Sequence, residues 1–323
     1  MPEASFLDKL HARFATDPAI VTDLIHRATG RRVTRLHRVV RGYDNEVHRA
    51  DLDPSGVVYA RIRRERGGYG GELWAMDQAR AHEVPVPELL ALETITDERG
   101  EREAMVLAAA PGDQLRTALP SLSGDRRRAV MIDLGRLVAR LHEIRTPGPW
   151  RPGEDVAWPD PTELRRSYVR DRRAEHDQLR AAGLTAEEVD RILAVLEISP
   201  DPPGADFVLC HGDLSPEHVF ATGTRVSCLI DWGMWHGGSV LDELAYLDST
   251  FEPADFVPLV EGYGRRLDAE LRRDIALVTV SQLIGHVAHH VGIGDQVGTE
   301  RNVAIMRRAL ARLAGSDGRA SGR

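Results

Sequence analysis

A chain of 323 residues, 42% of them hydrophobic and 28% charged, is long enough for two packed lobes and too apolar to be disordered. Its net charge of −8 argues against nucleic acid as a partner, and no stretch is expected to span a membrane. The first 25 residues carry charge throughout and lack the apolar core of a signal peptide, so a cytoplasmic location is expected. Two cysteines, Cys210 and Cys228, are too few for a disulfide framework and read as buried core positions. Lys9 is the single lysine, so a cation that grips phosphate inside this fold has to be an arginine.

In chain order, residues 7–29 read as one amphipathic helix with Leu10, Phe14 and Ile20 to Ile25 on its apolar side, closed by Gly30. RVTRLHRVV, EVHRADLD and GVVYARIRR then alternate apolar and polar residues between turns, the pattern of an antiparallel sheet. GGELWAMDQARAHE is a helix stopped by the prolines of VPVP. PELLALETI and REAMVLAAA bring the count to about five strands.

After Pro111-Gly112 the period becomes helical. DRRRAVMIDLGRLVARLHEI places Val130, Leu134, Leu137, Val138 and Leu141 on one side, and Thr185 with Glu188 has capping-box spacing. LRRDIALVTVSQLIGHVAHHV and RNVAIMRRALARL are two further helices. FVLCHGDL and RVSCLIDWG read as a short strand pair within this helical part. The expected fold is α+β, with a small mostly β lobe over residues 1–110 and a larger mostly α lobe over 111–323.

Two segments carry chemistry, HGDLSPEHVF (211–220) and LIDWG (229–233). Each is an apolar strand that ends in an acidic residue beside glycine. Such carboxylates are costly in a protein interior unless they hold a metal or a proton. The connecting FATGTRV has hairpin length, so Asp213 and Asp231 should face one site. Two carboxylates with histidine nearby suit phosphoryl transfer. One orients the attacking hydroxyl and takes its proton, and the other holds Mg²⁺ against the phosphates.

HGDLSPEHVF followed by LIDWG resembles the catalytic loop and metal motif of the aminoglycoside and macrolide phosphotransferases, a branch of the protein-kinase-like two-lobe fold. The family pattern is H-G-D-x-x-x-x-N, then I-D-W/F. The resemblance implies that Asp213 is the catalytic base, with His211 supporting the loop, and that Asp231 binds the metal. His218 stands where most of the family has a metal-binding asparagine and where macrolide phosphotransferases often carry histidine. RGYDNEVHRADL resembles the loop that covers the phosphates, with Gly42 and Asn45 at its tip. VVYARI resembles the strand of the phosphate-binding cation, which makes Arg61 that cation and Glu72 its partner. MVLAAAPG resembles the segment that holds the nucleotide base near Leu107 and Ala109. Glu243, or the neighbouring Asp242, matches an acid that steadies the catalytic loop.

The implied activity is transfer of the γ-phosphate of ATP or GTP, with Mg²⁺, to a hydroxyl of an aminoglycoside or macrolide. The 1–110 lobe then binds nucleotide, and the 111–323 lobe binds acceptor. Residues 239–270 are rich in acids (Asp242, Glu243, Asp248, Glu252, Asp255, Glu261, Asp268 and Glu270), which would favour a cationic acceptor. Alternatives are a kinase of an ordinary metabolite, a nucleotide-binding pseudokinase suggested by Arg61 and His218, and a metal-dependent hydrolase. His286, His289 and His290 have helical metal spacing but lack accompanying acids, and read as ordinary helix residues.

Overall fold

In a computed structural model that describes residues 11, 14–41, 45–64, 67–152, 157–198 and 206–320, the chain forms two compact units. The first comprises residues 1–77 with 85–111, and the second residues 78–84 with 112–323.

Of the helix expected over 7–29, the first unit shows α1 (Pro18–Thr29), with residue 11 also helical and residues 7–10, 12 and 13 outside the described residues. Residues 14–17 are not helical. Asp17 caps the helix by accepting the Ala19 N–H at 2.8 Å, and Pro18 occupies its first turn, where its missing N–H costs nothing. Gly30 ends the helix in the left-handed conformation at φ 66°. Strands β1 (Val33–Val39), β2 (Asn45–Leu52) and β3 (Val57–Arg63) follow, then α2 (Gly70–Ala81), β4 (Leu89–Asp97) and β5 (Gly100–Ala108). The five strands form one antiparallel sheet in the order β1-β2-β3-β5-β4. Val21, Leu24 and Ile25 of α1 pack with Ala50, Val58, Ala60, Ile62, Ala104 and Val106 of the sheet. Each of those large side chains contributes about 1.5–3 kcal/mol by burial.

The second unit contains β6 (Asp113–Gln114), α3 (Leu115–Ala118), α4 (Gly124–Leu141), α5 (Pro161–Ala174), α6 (His176–Ala181) and α7 (Ala186–Ile198). It continues through β7 (Val208–Cys210), β8 (Val219–Thr222), β9 (Arg225–Leu229), β10 (His236–Gly238), α8 (Val240–Thr250), α9 (Pro253–Gly262), α10 (Ala269–Ile293) and α11 (Gln296–Ala320). The Thr185–Glu188 capping box at the start of α7 is present, with hydrogen bonds of 2.7 and 3.1 Å.

The strand pairing differs from the expected one. β7 pairs with β10, whereas β9 pairs with β8, and β6 adds a third strand to that hairpin. The chain between Cys210 and Val219 is a loop, and the short run VFAT after it supplies the partner of β9. Helix α10 also departs from expectation, being long and apolar enough by length and composition to cross a membrane. Its Ala276, Leu277, Val280, Leu283, Ile284 and Val287 instead pack among Val189, Ile192, Val303 and Met306 as a core helix of this unit.

Candidate active site

The first unit supplies a buried charge pair. β3 sits between β2 and β5, with Arg61 opposite Val47 on one side and Met105 on the other. The Arg61 guanidinium forms an ion pair with Glu72 of α2, their side chains being 10% and 2% exposed. The carboxylate offsets the cost of taking the guanidinium out of water. The Tyr69 ring lies 5.8 Å from the Arg61 guanidinium carbon, and its hydroxyl donates to Asn45 Oδ1 at 2.9 Å. Asn45, Arg61 and Glu72 are therefore joined through Tyr69, a residue that the sequence did not single out. Leu107 and Ala109 lie at and just beyond the end of β5, where the Ala109 N–H donates to Val57 O at 3.3 Å. Gly42 lies outside the described residues.

Next to Asn45, Glu46 is buried and accepts hydrogen bonds from the N–H and hydroxyl of Thr16 and from His48. Burial alone would raise its pKa, but these donors hold it down at about 2.

The second unit holds the two motifs. His211, directly after β7, is fully buried against Trp232, at 4.6 Å between ring centroids. Its Nε2–H donates to the Ile230 carbonyl at 3.1 Å, and its Nδ1 accepts the Asp213 N–H at 3.3 Å. Burial pushes its pKa down to about 3. With Nε2–H given to one carbonyl and Nδ1 taken by one N–H, neutral His211 ties the loop to the segment before Asp231 and has no nitrogen left for proton transfer. It is a positioning residue. Gly212 follows at φ 78°, and a Cβ there would meet the Met234 carbonyl at 2.2 Å, so the turn requires glycine.

Asp213 accepts a hydrogen bond from the Tyr246 hydroxyl on Oδ1. Burial raises its pKa, against the opposing pull of His218 and of the Tyr246 hydrogen bond. His218 Nδ1 lies 2.6 Å from the Asp213 carbonyl, which can only accept, so Nδ1 carries the hydrogen. Nε2 is then the atom turned to Asp231 Oδ2, 3.8 Å away. Asp213, His218 and Asp231 each offer one atom to a group within 4.8 Å. Carboxylate oxygen and imidazole nitrogen fit a divalent cation, the nitrogen suiting Mn²⁺ or Zn²⁺ better than Mg²⁺. Asp231 itself adopts the left-handed conformation at φ 63°, an uncommon backbone for a side-chain-bearing residue that clusters at functional sites.

Helix α8 holds this loop from its first two turns. Glu243 Oε2 accepts the backbone N–H groups of His211 at 2.5 Å and Gly212 at 3.2 Å. Burial pushes the Glu243 pKa up to about 7 despite those donors. Asp242 completes a capping box with Ser239, at 2.7 and 3.2 Å. Glu243 is thus the acid that steadies the loop, and Asp242 belongs to the helix cap. Tyr246, one turn beyond Glu243, reaches Asp213 and was visible in the sequence only as apolar area. The signal available was its i, i+3 spacing from Glu243.

Most acids of the stretch 239–270 have structural partners. Asp255 is buried against Arg127 at 2.5 and 2.7 Å, Asp248 pairs with Arg312, and Glu261 pairs with Arg128. Asp268 caps α10 by accepting the Leu271 N–H at 2.9 Å. With Asp242 and Glu243, six of the eight acids have structural partners. His290 pairs with Asp295 at 2.8 Å, and His286 is buried with its pKa lowered to about 4. Among the described residues the three α10 histidines join no group with metal-ligand spacing.

A family model described as "Phosphotransferase enzyme family" matches residues 27–277. The chain is 29% identical over 210 residues to an aminoglycoside 3'-phosphotransferase of Streptomyces ribosidificus, an alignment covering 60% of this chain and 73% of that protein. A thermostable mutant aminoglycoside phosphotransferase, solved as a ternary complex with ADP and hygromycin B, superposes with a TM-score of 0.65 at 17% identity, covering 89% of this chain and 98% of that one. The macrolide 2'-phosphotransferase of Brachybacterium faecium gives a TM-score of 0.57 at 20% identity, over 88% and 97% of the two chains. An aminoglycoside phosphotransferase in complex with GDP and kanamycin gives 0.64 at 13% identity, over 90% and 98%. These structural likenesses establish the kinase-like α+β fold.

Proposed function

We propose an antibiotic as acceptor for this chain, which belongs to the phosphotransferase enzyme family and is an enzyme that phosphorylates a hydroxyl group. The acceptor is an aminoglycoside or a macrolide, and the donor is ATP or GTP. The acceptor class rests on the curated relative, an aminoglycoside 3'-phosphotransferase, and on fold neighbours of both kinds. Charge adds nothing to the choice, because most acids of 239–270 are paired.

The observation that carries the mechanism is Asp213. Tyr246 fixes its Oδ1, and Oδ2 then takes the proton of the acceptor hydroxyl as that oxygen attacks the γ-phosphorus. A pKa raised by burial makes this carboxylate a better base than an exposed aspartate. His211 and Glu243 hold the loop so that Asp213 does not have to reorganise during the reaction. A cation such as Mg²⁺ held by Asp231 and His218 would draw negative charge off the phosphate oxygens. In the first unit, Arg61, kept in place by Glu72, grips donor phosphate.

The test is incubation with ATP or GTP, Mg²⁺ and a panel of aminoglycosides, macrolides, choline-like alcohols and sugars, read by mass spectrometry. Addition of one phosphate to members of a single antibiotic class is the expected result. Transfer confined to the ordinary alcohols would make the chain a metabolite kinase and sink the proposal.

A further inference from the structure

Two side chains that the reaction does not use, His142 and Cys210, converge in the second unit with Glu243, which clamps the catalytic loop. His142 stands at the C-terminal end of α4, Cys210 ends β7, and Glu243 lies in the first turn of α8. A nitrogen, a sulfur and a carboxylate oxygen from these residues lie within 4.8 Å of one another. The residues are 6%, 0% and 1% exposed. Their outward contacts are made: His142 Nδ1 meets the Tyr263 hydroxyl at 2.9 Å, the Cys210 thiol donates to the Ser239 carbonyl at 3.5 Å (a proton the ion would displace), and Glu243 Oε2 takes the N–H groups of His211 and Gly212. His142 Nε2 and Glu243 Oε1, by contrast, have no hydrogen-bond partner. Buried polar atoms without partners are rare in native proteins and call for a ligand or another explanation.

We propose that His142 Nε2, Cys210 Sγ and Glu243 Oε1 bind a divalent cation of zinc character that braces the catalytic loop. Zinc takes nitrogen, thiolate and carboxylate ligands at about 2.0–2.3 Å, so three such atoms stand about 3–4 Å apart around it. A doubly charged ion with one thiolate and one carboxylate is neutral overall, which is the charge state a dry interior tolerates. Magnesium is a poor occupant, because it seeks oxygen and not sulfur. With the ion bound, His142 would donate Nδ1–H to the Tyr263 hydroxyl, 2.9 Å away, leaving the Nε2 lone pair for the ion. Glu243 couples the site to catalysis. One of its oxygens holds the ion and the other holds the backbone of the loop that ends in Asp213.

The test uses full-length protein produced in medium supplemented with Zn²⁺, dialysed against EDTA and assayed for metal content per chain. A parallel preparation with Co²⁺ is read for the thiolate-to-cobalt charge-transfer band. The group of Asp213, His218 and Asp231 contains no sulfur, so that band reports the proposed site and not the reaction centre. Wild type and Cys228→Ser are expected to retain one ion per chain and to show the band. Cys210→Ala and His142→Gln are expected to fall to background metal. Absence of both retained metal and the band in wild type would overturn the proposal, whether or not the variants fold. A band that survives Cys210→Ala or vanishes in Cys228→Ser would overturn it too.

Discussion

In the first unit Arg61 and Glu72 cancel each other's charge between strand and helix, whereas in the second unit Asp213 and Asp231 share the two nitrogens of a single imidazole. In the first arrangement each buried charge has its opposite. The second gathers like charges at one loop and holds them with hydrogen bonds from Tyr246 and with backbone clamps around His211, Gly212 and Ile230. A brace and a reaction centre thus use the same residue types with opposite electrostatic logic. Their responses to mutation should differ accordingly.

The largest effect should come from Asp213→Ala. Loss of a general base is expected to lower kcat by about 10²–10⁴-fold, with nucleotide binding little changed and the fold no less stable, because a like charge leaves the cluster. Steady-state rates alongside a nucleotide titration check this, and a wild-type rate would remove Asp213 from its role. Glu72→Ala should do the reverse. It strands the Arg61 guanidinium inside the first unit at a cost of about 3–5 kcal/mol, seen as a lower midpoint in denaturant unfolding. Survival of full stability would show that the pair is no brace.

Tyr246→Phe should be milder. It removes one hydrogen bond to a carboxylate, worth about 1.5–3 kcal/mol, and is expected to lower kcat about 10–100-fold while KM for nucleotide stays put. The smallest effect is on pH. Glu46 has a folded pKa of about 2 against an ordinary 4.5, so the stability it adds is fully present above pH 4.5. That stability is lost as pH falls towards 2 and amounts to about 3 kcal/mol. Glu46→Gln should flatten that acid slope and be less stable than wild type at pH 7, as read by thermal unfolding across pH.

The sheet of the first unit was legible because strands of 7 to 9 residues show their alternation. So were the HGD and IDWG motifs, whose acids end apolar runs. The β7–β10 pairing was hidden because three-residue strands have no period to read. The start of α1 was misplaced because apolar spacing outweighed the Asp17-Pro18 boundary signal, which was present. Ser239 and Asp242 also have capping-box spacing, and reading it would have left Glu243 alone to steady the loop. Tyr246 was obscured for another reason. A tyrosine on an apolar helix face carries its polar atom at the tip, and only the fold decides what that tip meets. The pairing of the acids of 239–270 was hidden for the same reason, since their arginine partners on α4 and α11 lie far away in sequence.

Arg61 also bears on how this protein can be found by chemistry. Reagents that survey nucleotide sites in cell extracts usually work by acylating an amine held near the donor phosphates. A guanidinium stays protonated and is a poor nucleophile, and the single amine-bearing side chain of the sequence is Lys9. At the proposed donor site such a reagent would meet the Arg61 guanidinium in place of an amine. Enzymes built in the same way will be undercounted wherever lysine labelling stands in for nucleotide binding.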